Sequence, residues 1–127
     1  MKEFARSEWQ RAQRAIQSAT TLLASDPESA VSRAYYAAFH ALTALFALRG
    51  QSFNKHAALR SALHKDLIHA GDWPAELGKD YDLLTELRET GDYGGTTRVS
   101  EENARRAIEA AQRIIAACQQ KLSGSGD

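Results

Sequence analysis

Two short stretches hold the side chains whose types and spacing could do chemistry. The first is Arg33-Ala34-Tyr35-Tyr36-Ala37-Ala38-Phe39-His40. From Arg33 to His40 a helix turns through about 700°, so both lie on one face to within about 20°, with Tyr36 between them and Thr43 one turn beyond. A guanidinium, a phenol and an imidazole in line on an otherwise apolar helix need polar partners or a cleft. A buried network in which His40 bonds a carbonyl of a neighbouring helix meets that need; so does a functional site. The second stretch is Arg88-Glu89-Thr90-Gly91-Asp92-Tyr93. Arg88 and Asp92 are spaced to form an ion pair that locks a helix end, a structural role that would by itself explain both. The chemistry on offer is proton transfer near neutral pH by His40 and anion binding by Arg33 and Arg88.

Other standard sites are absent. There is no GxGxxG, GxxxxGK(S/T) or GxSxG, which removes dinucleotide, P-loop and hydrolase-elbow readings. The histidines are His40, His56, His64 and His69. On a helix His64 and His69 stand about 140° apart and His56 and His64 about 80° apart. Neither pair has the HxxxH or ExxH spacing of helical metal sites, so no metal is expected and nothing calls for a cofactor. Cys118 falls on an apolar stripe, where a buried inert thiol is favoured over a nucleophile.

Positioning these residues falls to a chain of 127 residues, one domain's worth. Its 16 Lys+Arg balance 16 Asp+Glu, which argues against a constitutive, charge-driven nucleic-acid coat protein. Hydrophobic residues at 43% and charged ones at 25% exclude gross disorder. With 1 cysteine, neither an intramolecular disulfide nor a thiolate zinc site can form. No apolar run approaches the ~18 residues of a membrane span. The charged start, MKEFARSEWQ, lacks the apolar stretch of a signal peptide, so the expected setting is the cytoplasm, away from membranes.

Abundant alanine and only 2 prolines favour helix throughout, and no stretch alternates long enough to suggest a sheet. The first helix is expected from about Glu3 to Ala24, with Phe4, Trp9, Ala12, Ile16, Ala19 and Leu23 on its inner face. Asp26-Pro27 then caps a second helix that runs to about Arg49 and stops at Gly50. Tyr35, Phe39, Leu42, Leu45 and Phe46 surround much of this helix, which places it centrally. A third is expected over His56 to His69, ending at Gly71. A fourth starts at Asp72-Trp73-Pro74, buries Leu77, Tyr81, Leu84 and Leu87, and is broken by Gly91-Asp92-Tyr93-Gly94-Gly95. Ser100 caps a fifth, whose buried stripe is Ala104, Ala107, Ile108, Ala111, Ile115, Cys118 and Leu122. The fold expected is all-α, an up-and-down bundle of four to five helices over residues 1–122, with a fraying tail at 123–127. So apolar a second helix in so small a bundle also suggests a homodimer.

Taken in order, these segments resemble the HEPN family, the small helical domains named for higher eukaryotes and prokaryotes nucleotide binding. Arg33 to Leu42 is similar to the family's R-x-Y-Y-A-x-F-H-A helix, and Leu87 to Tyr93 to its L-R-x-x-x-D-Y segment. Lys55-His56 stands where the third helix of the family opens on a K-x-H-like pair, one residue short. The closing helix, Ser100 to Leu122, is similar to the A-x-x-x-I-x-x-A ending. The resemblance covers almost the whole chain.

It implies an all-α bundle that dimerises. Many members are ribonuclease toxins of toxin–antitoxin pairs, often beside a minimal nucleotidyltransferase partner. They cut RNA without metal through an Arg and a His four to six residues apart, two such pairs meeting across the dimer. This chain departs from that signature: Asp92-Tyr93 follows Arg88, with no histidine. Arg33 and His40 satisfy the separation on a different helix. The candidate catalytic residues are therefore His40, Arg88 and Asp92, and the candidate RNA- or nucleotide-binding residues Arg33, Tyr36 and Tyr93. The competing reading is a non-catalytic module that binds a nucleotide or a nucleotidyltransferase partner.

Overall fold

Alanine sets the spacing of the first two helices. The structure, a computed structural model, describes residues 2–93 and 98–124, and the side chains of all of these except 91–93. Helix α1 (Lys2–Leu22) turns Ala5, Ala12 and Ala19 inward, and α2 (Pro27–Leu48) buries Ala30, Ala34, Ala37, Ala38, Ala41, Ala44 and Ala47. Side chains this small let two helix axes close up along their whole length. Asp26 starts α2 as its spacing predicts: the carboxylate accepts from the Ser29 amide at 3.3 Å and the Ser29 hydroxyl at 2.6 Å. With α1, α4 and α5 all packed on it, α2 is the central helix, and Tyr35, Leu42 and Phe46 are fully enclosed.

The remaining helices close around it. Helix α3 (His56–Ala62) continues without a break into a π-helical segment, Leu63–His69, which ends at Gly71 with φ 87°. Its span matches the spacing in the sequence, but its winding does not. One wider turn re-aims His64 toward α4 (Ala75–Tyr93), where its Nε2 lies 3.0 Å from Asp82 Oδ1. Arg60, from the α-helical half, donates to the same oxygen at 2.9 Å. The His64 ring sits so close to α4 that a Cβ on Gly78 would stand 2.8 Å from its Cε1.

Helix α4 buries Leu77, Tyr81, Leu84 and Leu87 as expected, yet runs on through Gly91 to Tyr93 instead of breaking there. A lone glycine costs a helix only about 1 kcal/mol against alanine, which the packing of the preceding turns can offset. Helix α5 (Glu101–Gly124) opens with the Ser100 hydroxyl accepting from the Asn103 amide at 3.0 Å. Its stripe from Ala104 to Cys118 is buried, Leu122 partly so, and Ser123 and Gly124 stay helical. The rest of the expected tail, 125–127, lies outside the described residues. Arg113 joins α5 to α4 by a two-pronged bond to Asp80, 2.9 and 3.0 Å. Burial pushes the Cys118 thiol up, so it stays protonated and inert.

One expectation is corrected. Phe4 is not an inner residue: it is 48% exposed, and Ala5 and Glu8 face inward in its place. The apolar surface of α2 that suggested a homodimer is covered within the chain itself, because α1, α4 and α5 enclose it on three sides. Among the described residues no helix is long and apolar enough to cross a membrane.

The His64–Gly78 contact predicts a coupled pair. In a His64→Ala background, Gly78→Ala should stabilise the fold by about 1 kcal/mol, the ordinary helix gain. In the wild-type background the gain should be clearly smaller, since the new methyl pushes His64 off Asp82. Urea unfolding of the four variants measures both, and equal gains would disprove the coupling.

Candidate functional site

The close approach of α1 and α2 sets a carboxylate against His40. Glu8, one turn beyond Ala5 on the inner face of α1, is 6% exposed. Its Oε1 lies 2.9 Å from His40 Nδ1, and Arg11 Nη1 lies 3.6 Å from its Oε2. A carboxylate only accepts, so His40 donates through Nδ1–H, and its Nε2 keeps the lone pair. This is the orientation a carboxylate gives a catalytic imidazole. The partner of His40 is thus an acid from α1, not a backbone carbonyl. Nothing in the two motifs singles out Glu8, but the signal is in the sequence: an acid at the inward spacing of Ala5 and Ala12.

Arg33, Tyr36 and His40 do share a face. They line one groove of about 530 Å³ with Arg11, Arg14, Ala15 and Ser18 of α1. Tyr36 forms the end of it nearest the second motif. The Arg88 guanidinium carbon stands 5.4 Å from the centre of the Tyr36 ring and 4.7 Å from that of Tyr35. The motifs from α2 and α4 therefore meet at two adjacent tyrosines. Asp92 and Tyr93 lie on the last turn of α4, and their side chains, with the expected Arg88–Asp92 pair, fall outside the described residues.

A second histidine joins the cluster. His56, the first residue of α3, packs on Phe39 with ring centres 4.4 Å apart and faces Tyr36 edge-on at 5.7 Å. Its Nδ1 lies 3.0 Å from the Tyr35 hydroxyl, which in turn accepts from the buried Tyr81 hydroxyl at 3.3 Å. Burial, then the charge of Arg88, then that of His40, lower the pKa of His56 from its ordinary 6.5. A neutral ring accepting at Nδ1 carries its proton on Nε2. Burial foremost, with Tyr35 beside it, raises the Tyr81 pKa far beyond the usual phenol range and keeps the chain of hydroxyls protonated. The two imidazoles thus hold opposite tautomers on either side of Tyr36, His40 with a bare Nε2 and His56 with an Nε2–H. The only mark of His56 in the sequence is its place in Lys55-His56.

Among the described residues no group of three or more His, Cys, Asp or Glu could hold a metal ion. A larger groove, about 760 Å³ among Leu45, Trp73, Leu77 and Leu122, contains none of these residues. Its Arg49 and Asp72 pair with each other at 3.4 Å.

The sequence matches the HEPN domain family over residues 5–121, and the chain belongs to that family. It is similar to a UPF0332 protein of Thermotoga maritima, 36% identical over 113 residues that make up 88% of this chain and 86% of the relative. The fold is similar to the crystal structure of TT1696 from Thermus thermophilus, with a TM-score of 0.80 and 26% identity over 92% of this chain and 97% of the other.

The lowered His56 pKa carries a sign. The unfolded chain binds this proton more readily, so the contribution is full above about 6.5 and declines as the pH falls below that value. Between about pH 7.5 and about pH 5 the Tm of the wild type should fall more steeply than that of His56→Gln. Parallel profiles by calorimetry would show that burial of the neutral ring contributes nothing.

Proposed function

We propose that this chain is a metal-independent endoribonuclease, acting in the cytoplasm as a homodimer within a toxin–antitoxin or nucleotidyltransferase-associated system. The observation that carries the reading is the pair of oppositely protonated histidines around Tyr36, within reach of Arg88. RNA contains its own nucleophile, the 2′-hydroxyl, so cleavage needs a base to take that proton and cations to stabilise charge on phosphorus. His40, oriented by Glu8, takes the proton through Nε2. Arg33 and Arg88 bind the phosphoryl oxygens, and the Nε2–H of His56 adds a neutral donor. Tyr36 stacks on a base, and Tyr93, one turn beyond Arg88, offers a second ring. Asp92 acts through Arg88, whose guanidinium it orients. No metal or other cofactor enters this scheme. A dimer concentrates two such sets of arginines in a protein with no net charge.

The second reading is a binding module that breaks no bond, meeting a nucleotide or a nucleotidyltransferase partner. It is favoured by the engagement of His56: Tyr35 holds its Nδ1 and Phe39 covers its face, a satisfied network that needs no substrate.

Purified protein incubated with total RNA separates the two. His40→Ala should lower cleavage by about 10²–10⁴-fold with binding retained, and Glu8→Gln should lower it less. Arg88→Ala should weaken cleavage and binding together. RNA left intact by the wild type refutes the nuclease and leaves the binding module. Light scattering that finds a monomer at micromolar concentration and above refutes the homodimer.

A further inference from the structure

The groove beside His40 is longer than one catalytic event requires. A second groove, about 540 Å³, continues it along the same two helices and shares Arg14, Ser18 and Arg33 with the first. Gln17, Thr21 and Leu22 complete its walls. From Arg11 to Thr21 the α1 wall extends about 15 Å at the rise of an α-helix.

Charge is segregated along this track. No acid lines either groove. The nearby carboxylate of Glu8 is already committed to His40 and Arg11. Arg14 and Arg33 make no hydrogen bond or ion pair with any described residue and are exposed. In a chain of zero formal net charge, three arginines gathered without acids on one face form a local site for anions. The guanidinium fork matches the oxygens of a phosphate, and the intervening hydroxyls and amide of Ser18, Thr21 and Gln17 add uncharged donors.

The geometry points to this track as a binding site for the phosphate backbone of single-stranded RNA, leading the strand to His40. The inference rests on the nuclease reading for the sugar, and on the groove itself for the phosphates. One phosphate would occupy a single segment, whereas a chain of them engages Arg11, Arg14 and Arg33 together. At the His40 end Tyr36 presents a ring to an unstacked base, which a duplex does not offer.

Fluorescence anisotropy with a labelled oligouridylate, titrated across salt concentrations, tests the track. Exchanging Arg14 and Arg33 together for alanine should weaken binding at least tenfold and reduce the magnitude of the salt slope by about 1.4, two single-strand phosphate contacts. Exchanging Arg105 and Arg106 on the outer face of α5 removes the same charge and should leave binding unchanged. A wild type that binds the oligomer by this pattern without cutting it supports the track and defeats the nuclease reading alone. The track is overturned if the wild type does not bind the oligomer, or if the α5 pair weakens binding as much. It is overturned equally if a duplex binds as tightly, or if inorganic phosphate competes as well as the oligomer at equal phosphate concentration.

Discussion

The contact between α1 and α2 governs most of the chemistry this molecule can offer. With alanine at positions 5, 12 and 19 on one helix and at 30, 34, 37, 41 and 44 on the other, no large side chain holds the two apart. Packing at that range leaves little room for water, so a polar group caught in the seam must find its partner across it. Glu8 and His40 are those groups. Their bond follows from the alanines around them, and it fixes which nitrogen of His40 is left for other work. The same packing sets the arginines of α1 beside Arg33, because residues one turn outward from the seam form its rim.

Tyr35 and Tyr36 serve as the joint between that seam and the rest of the bundle. They are consecutive, so on a helix they point about 100° apart. Tyr35 turns inward to Tyr81 and His56, and Tyr36 turns toward the groove. Arg88 rests against both rings, so a cation from α4 reaches residues of α2 without crossing the core. Aromatic faces suit this role, since they attract a guanidinium without requiring a carboxylate.

How much of this was legible in the sequence depended on the range of the interaction. The Asp26 and Ser100 caps, the stripes of α4 and α5, and the common face of Arg33, Tyr36 and His40 all arise within a few turns of one helix, where spacing alone determines them. Glu8 was hidden because a charge at an inward position looks like a break in the pattern until its partner, 32 residues away, is seen. His56 was hidden for the same reason: Tyr35 stands 21 residues before it and Tyr81 is bonded across 46. The passage of α4 through Gly91 reflects packing that outweighs local propensity. The π-helical turn has no signature in hydrophobic spacing, which assumes a single pitch.

That turn divides α3 in its loyalties. Its opening residue, His56, belongs to the aromatic cluster on α2, while His64 belongs to Asp82 on α4. On a uniform α-helix the angle between two such residues is set once and for all by their separation. A wider turn between them relaxes that rule, so each end keeps the rotation its own neighbour requires. The segment acts as a phase adjuster between two surfaces, absorbing the mismatch that a rigid rod would pass on to the histidine beside Arg88.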